Sequence, residues 1–183
     1  MKVTPTAIPD VLIIEPKIFG DSRGFFFESF NQRDFNAATG TNFSFVQDNN
    51  SRSEKGVLRG LHYKLGRPQG KLVRVARGSV FDVAVDIRPS SPTFGKWVGM
   101  ELNEQDNRQM WMPPGLAHGF LVLSDSADFV YKTTDYYAPD LERCINWNDQ
   151  DLDVDWPLKE VGLESPQLSD KDMRGVWFLS LSI

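Results

Sequence analysis

The chain has 183 residues, a formal net charge of −5, 40% hydrophobic residues including 13 Phe and 5 Trp, and one cysteine, Cys144. That length and apolar content suit one domain with a real core, the acidic balance argues against nucleic acid as a partner, and a lone cysteine excludes an intrachain disulfide. No apolar run approaches the roughly 18–20 residues of a membrane span, and Val11-Leu12-Ile13-Ile14, stopped by Glu15, is too short for a secretory signal. A cytoplasmic protein is expected, with Cys144 a buried small apolar residue rather than a nucleophile.

Taken in order, Val11–Glu15 reads as a strand, and Gly20-Asp21-Ser22-Arg23-Gly24 as a turn. Phe25–Phe30 follows as a strand with Glu28 on the face of Phe26. Asn31 is placed to cap a short helix that Gly40 ends. Phe43–Gln47 alternates as a strand and leads into a polar cluster, Asp48-Asn49-Asn50-Ser51. Then come Val57–Tyr63, Lys71–Arg77 and the strictly alternating Val80–Ile87, with Phe81, Val83, Val85 and Ile87 on one face and Asp82, Ala84 and Asp86 on the other. Trp97–Leu102, Arg108–Met112, His118–Leu123, Phe129–Tyr137 and Arg143–Trp147 complete a series of short strands, and Leu168–Asp172 opens a short helix. Short strands at even spacing, without repeats or flexible linkers, predict a single all-β domain over residues 1–183, with short peripheral helices and an irregular C-terminal tail. A jelly roll, whose two sheets enclose a pocket, suits them best.

Charge is unevenly spread. From Arg52 to Arg77 there are eight basic residues against one acid, Glu54. A cationic patch on an acidic protein suits a small anion such as a phosphorylated metabolite; a solvated face accounts for Lys55, Lys64 and Arg67 equally well. Within the patch, Arg59-Gly60-Leu61-His62 holds one of only two histidines. On a flat strand Arg59 and His62 point to opposite faces, so one pocket receives both only if the strand bulges, and Gly60 is the place for it.

Two histidines, far apart and outside any His-x-His pair, give no support to a metal site. No Gly-x-Ser-x-Gly elbow and no phosphate loop is present, and Cys144 has no histidine near it in sequence. General acid–base chemistry remains. His62 is a base near neutral pH if a carboxylate fixes its tautomer. Tyr131, Tyr136 and Tyr137 are candidate acids, and Lys71 or Arg59 could stabilise an enolate oxygen. His118, soon after the Pro113-Pro114-Gly115 turn, is expected at a pocket rim. A core histidine and core tyrosines with satisfied polar atoms are the competing reading.

Several segments, in register from about Pro9 to Asp172, resemble the dTDP-4-dehydrorhamnose 3,5-epimerase family: Gly20-Asp21-Ser22-Arg23-Gly24-Phe25-Phe26, Phe45-Val46-Gln47-Asp48-Asn49, Leu58-Arg59-Gly60-Leu61-His62-Tyr63, Gln69-Gly70-Lys71-Leu72-Val73-Arg74 and Pro113-Pro114-Gly115-Leu116-Ala117-His118-Gly119-Phe120. The resemblance implies a cupin-type jelly roll acting as a homodimer, without metal or cofactor. It implies an epimerase that inverts C3 and C5 of a dTDP-linked 4-keto-6-deoxyhexose on the way to dTDP-L-rhamnose. His62 is then the base and Asp172 its carboxylate partner, with Asp170 the alternative; Tyr131 is the acid and Lys71 stabilises the enolate. Arg23, Glu28, Gln47, Asp48, Asn49, Arg59, His118, Glu142 and Lys171 match substrate contacts, Tyr137 matches an aromatic that stacks on thymine, and Asp82 would orient His118. A non-catalytic nucleotide-sugar binder and a metal-dependent cupin enzyme are the alternatives.

Overall fold

The computed structural model describes residues 1–183 as two packed antiparallel sheets with helical pieces outside them. The strands are β1 (Lys2–Pro5), β2 (Leu12–Glu15), β3 (Phe19–Asp21), β4 (Gly24–Phe26), β5 (Gln47–Glu54), β6 (Leu58–Lys64), β7 (Lys71–Arg77), β8 (Ser79–Asp86), β9 (Trp97–Asn103), β10 (Gln109–Met112), β11 (Leu116–Val122), β12 (Ser126–Thr133) and β13 (Glu142–Cys144). One sheet runs β1-β2-β10-β7-β12-β5, the other β13-β6-β11-β8-β9, and β3-β4 stands apart as a small hairpin. This is the jelly roll that the strand spacing predicts. No helix is long and apolar enough to cross a membrane.

Alternation explains the layering. Between the sheets, Val73, Met110 and Phe129 of the six-stranded sheet meet Val80, Leu102 and Phe120 of the other. The outer face of the five-stranded sheet presents Leu58, Leu61, Val83, Val85 and Leu121, and the segment from Ile145 through Phe178 covers it. The outer face of the six-stranded sheet is sealed at one end by helix α1 (Gln32–Thr39). There Phe35 and Trp111 pack edge to face, with ring centroids 5.2 Å apart. Asn31 caps α1 by accepting from the Asp34 N–H, and Gly40 ends it in the left-handed conformation, as expected.

Four expectations change. The strand expected over Phe43–Gln47 does not form, and strand structure begins only at Gln47. The polar cluster Asp48–Ser51 is the heart of strand β5, paired along its whole length with β12. Its side chains alternate half-buried and exposed, so the strand needs no apolar residues to have two different faces. The strand expected over Phe25–Phe30 stops at Phe26, and Glu28 lies beyond it. Its phenylalanines lack a sheet to cover: Phe19, Phe25 and Phe26 are 53%, 63% and 71% exposed on the β3-β4 hairpin. His118 is not at a rim but buried. β11 begins directly after the Pro113-Pro114-Gly115 turn and lies between β6 and β8, so its third residue is already inside the barrel.

Candidate active site

Strand β6 makes the bulge that its sequence requires. His62 pairs with His118 and Arg59 with Phe120, so three steps on β6 span two on β11. The irregularity falls at Gly60, with φ +129°, where a Cβ would sit 2.5 Å from the Gly119 Cα. Only glycine fits this crossing without moving backbone. The extra residue restores alternation on the far side: Leu58, Leu61 and Tyr63 join the outer core, while Arg59 and His62 both turn inward. Arg59 Nε reaches across to donate to Ser53 Oγ on β5, 2.9 Å away.

Asp172 comes to His62 from 110 positions along the chain. The C-terminal segment is stitched to β6 and its neighbour at two points, the bridges Val57↔Gln167 and Ile145↔Val176. Between them lies a single helical turn, α2 (Asp170–Met173), capped by Ser169. Ser169 Oγ accepts from the Asp172 N–H at 3.2 Å and donates to Asp172 Oδ2 at 2.7 Å. That leaves Asp172 Oδ1 for His62 Nε2 at 2.5 Å. Burial raises the Asp172 pKa, but the hydrogen bonds from His62 and Ser169 outweigh it and hold the carboxyl below its ordinary value. An ionised carboxylate only accepts, so Nε2 carries the proton of the neutral imidazole and Nδ1 holds the basic lone pair. Asp170 is exposed, so Asp172 is the partner. Ser169 was not singled out from sequence, although a serine three residues ahead of an acidic residue is the capping signal.

A cavity of about 350 Å³ opens beside this pair, bordered by Gln47, Asn49, His62, Lys71, Tyr131, Tyr137 and Glu142 among others. His62 belongs to the five-stranded sheet, and Tyr131 and Lys71 to the six-stranded one, so the groups meet across the gap between layers. The Tyr131 hydroxyl is held above its usual pKa, first by burial, then by Glu142, against Arg59, which lowers it. Lys71 is pushed down to about 8 by burial, against the raising influence of Glu142 and Asp82. Gln47 accepts the Tyr137 backbone N–H at 2.9 Å and donates to Asn49 at 2.9 Å, which fixes one wall. Glu142 pairs with Lys171 at the edge.

His118 is buried on β11 as the cross-strand partner of His62, bonded through Nε2 to Asp82 Oδ1 at 2.7 Å. Its ring stacks on Phe129, 5.7 Å between centroids. Burial lowers its pKa despite Asp82, and Lys71 and His62 push the same way, so it is a neutral donor or acceptor. Arg59, His118 and Lys171 do not themselves line the cavity, and three further sequence candidates lie away from it. The Asp48 side chain faces the other way and pairs with Lys132 at 2.8 Å. Arg23 sits on the β3-β4 hairpin, paired with Asp21, and Glu28 is exposed beyond β4. Cys144, without a histidine near it in sequence, is the cross-strand partner of His62. Burial pushes its thiol up to about 12, which suits an inert thiol rather than a nucleophile.

A family model described as dTDP-4-dehydrorhamnose 3,5-epimerase matches residues 5–179. The chain is 61% identical over 178 residues to the dTDP-4-dehydrorhamnose 3,5-epimerase of Pseudomonas aeruginosa, covering 97% of this chain and 96% of that protein. Among solved structures it superposes with a TM-score of 0.94 and 53% identity on a dTDP-6-deoxy-D-glucose-3,5-epimerase from Legionella pneumophila in complex with dTDP-4-keto-L-rhamnose, over 99% of this chain and 94% of that one. A 3'-monoepimerase from Streptomyces bikiniensis in complex with dTDP-quinovose is 36% identical, with a TM-score of 0.87 over 96% of this chain and 87% of that one. The chain therefore belongs to the dTDP-4-dehydrorhamnose 3,5-epimerase family.

Proposed function

We propose that the protein converts dTDP-4-dehydro-6-deoxy-glucose to dTDP-4-dehydro-L-rhamnose, inverting C3 and C5, in dTDP-L-rhamnose biosynthesis. The observation that carries this reading is the placement of His62 and Tyr131 on opposing sheets across one cavity. Both carbons are α to the C4 ketone, so loss of either proton gives a planar enolate. His62 Nδ1 takes the proton from one face, and Asp172 stabilises the imidazolium that forms. The Lys71 ammonium, which has no hydrogen-bond partner of its own, stabilises the enolate oxygen. The Tyr131 hydroxyl returns a proton from the opposite sheet, which inverts the centre. His118, whose Nε2–H is taken by Asp82, has Nδ1 left to accept from a sugar hydroxyl, and Arg59 and Lys171 meet the pyrophosphate.

Tyr137, 62% exposed at the mouth, offers its ring to thymine, and Gln47, Asn49 and Glu142 frame the nucleotide end. A homodimer completes the reading. Arg23 and Glu28 do not border their own chain's cavity, and the β3-β4 hairpin carries exposed phenylalanines of the kind that mark an interface; a second copy supplies both. A nucleotide-sugar substrate and a reduced lone cysteine suit the cytoplasm.

Proton NMR of the product formed from dTDP-4-dehydro-6-deoxy-glucose in D2O tests the reading. Deuterium at both C3 and C5 with L-rhamno stereochemistry is expected; exchange at one carbon only would reassign the chain as a monoepimerase. In Tyr131→Phe, solvent exchange should outlast inversion, and equal loss of both would remove Tyr131 from the role of acid.

A further inference from the structure

The three side chains His62, Cys144 and Asp172 come from β6, β13 and α2, and their ligand atoms all lie within 4.8 Å of one another. Asp172 Oδ1 is 2.5 Å from His62 Nε2 and 3.8 Å from Cys144 Sγ. Around a tetrahedral Zn²⁺ with ordinary bond lengths, such atoms stand about 3.3–3.6 Å apart. Two of the separations fall on either side of that range and the third is at most 4.8 Å, so shifts of roughly 1 Å, within side-chain reach, would meet it. One imidazole, one thiolate and one carboxylate form a donor set that suits a borderline-soft divalent cation over Mg²⁺ or Ca²⁺. The carboxylate is already oriented through its other oxygen by Ser169, as ligands in metal sites usually are. Of the three, only His62 borders the cavity.

We propose that His62, Asp172 and Cys144 form a three-ligand site for Zn²⁺ or a similar soft cation, and that filling it switches the base off. Two protons move. Cys144 loses its S–H proton to solvent as the sulfur binds. Nε2 of His62 gives up its proton to bind the metal, and the neutral ring then carries its single proton on Nδ1. Nδ1 is the atom that holds the basic lone pair in the metal-free protein, so the occupied site has no base left. The metal site stands on geometry alone; only the switch rests on His62 being the base.

Titration of the intact protein with Co²⁺ tests the site without reference to activity. A thiolate-to-Co²⁺ charge-transfer band is expected, and it should vanish in Cys144→Ala. Zn²⁺ should abolish the solvent exchange of a dTDP-4-keto-6-deoxy sugar, and a chelator should restore it. Cys144→Ala should stay active in metal-free buffer and lose Zn²⁺ sensitivity by more than the roughly 10–100-fold typical of an outer partner. If that variant fails to fold, judged by circular dichroism, the wild-type cobalt band decides. No thiolate band, or unchanged Zn²⁺ inhibition in Cys144→Ala, overturns the site and leaves the reading of His62 untouched. A band with full activity overturns the switch and counts against His62 as base.

Discussion

Two histidine–carboxylate pairs stand side by side, on residues that face each other across β6 and β11. His62–Asp172 has a half-exposed ring, with 31% of its side chain open, and a carboxylate whose two oxygens are both bonded. His118–Asp82 has a ring with 8% of its side chain open and a carboxylate whose Oδ2 is buried without a partner. The same chemical pair is thus given two uses by its surroundings. Access and a saturated carboxylate make the first a proton acceptor. Burial among Phe120 and Phe129 keeps the second neutral, a fixed dipole for binding.

The sharpest way to break this contrast is to remove each imidazole in turn. His62→Asn should lower kcat for solvent exchange by roughly 10²–10⁴-fold, the span usual for a general base. His118→Asn should raise KM and leave kcat far less affected; a reversal of these effects would exchange the two roles. The carboxylates sharpen the same point. Asp172→Asn should lower kcat towards the value of His62→Asn, because an amide can donate to Nε2 and turn the lone pair away from Nδ1, whereas Asp82→Asn should act on KM. A finding that Asp172→Asn changes only KM would detach it from the base.

Lys71, which lines the cavity with His62 from the opposing sheet, gives a pH test. Its ammonium is the active form and its pKa is lowered to about 8, first by burial. The free enzyme should therefore lose kcat/KM as pH rises through about 8. Tyr131, held above its ordinary value, stays protonated across that limb, so Lys71→Met should remove the limb and Tyr131→Phe should keep it. The smallest expected effect is that of the cap. Ser169→Ala should cost about 1 kcal/mol, or a fall of roughly 2–4 °C in Tm for a chain of this size. Faster amide exchange at Asp172 and Met173 with an unchanged barrel would place the loss in α2.

β8 was legible from the strict alternation of its sequence. β5 was not, because Gln47 and Asn49 line a polar cavity and Asp48 and Asn50 face outward; neither face is apolar, so periodicity had nothing to register. The phenylalanines around Arg23 misled in the other direction, since apolar residues that their own chain leaves uncovered read as core. In the site, the bulge at Gly60 was foreseeable from the need to bring Arg59 and His62 together. The depth of His118 was not, because a turn marks where a strand starts and not how deeply its neighbours bury it. The meeting of Cys144 with His62 and Asp172 depends on the order of strands in the sheet and on two distant bridges, which no local spacing encodes.

The stitching of the C-terminal segment to β6 has a consequence for synthesis. A chain made from its N-terminus presents His62 long before Asp172, which lies 110 positions further on. Every strand of both sheets precedes α2, so the barrel is able to close around a base that still lacks its carboxylate. Catalytic competence is then the last property the nascent protein acquires.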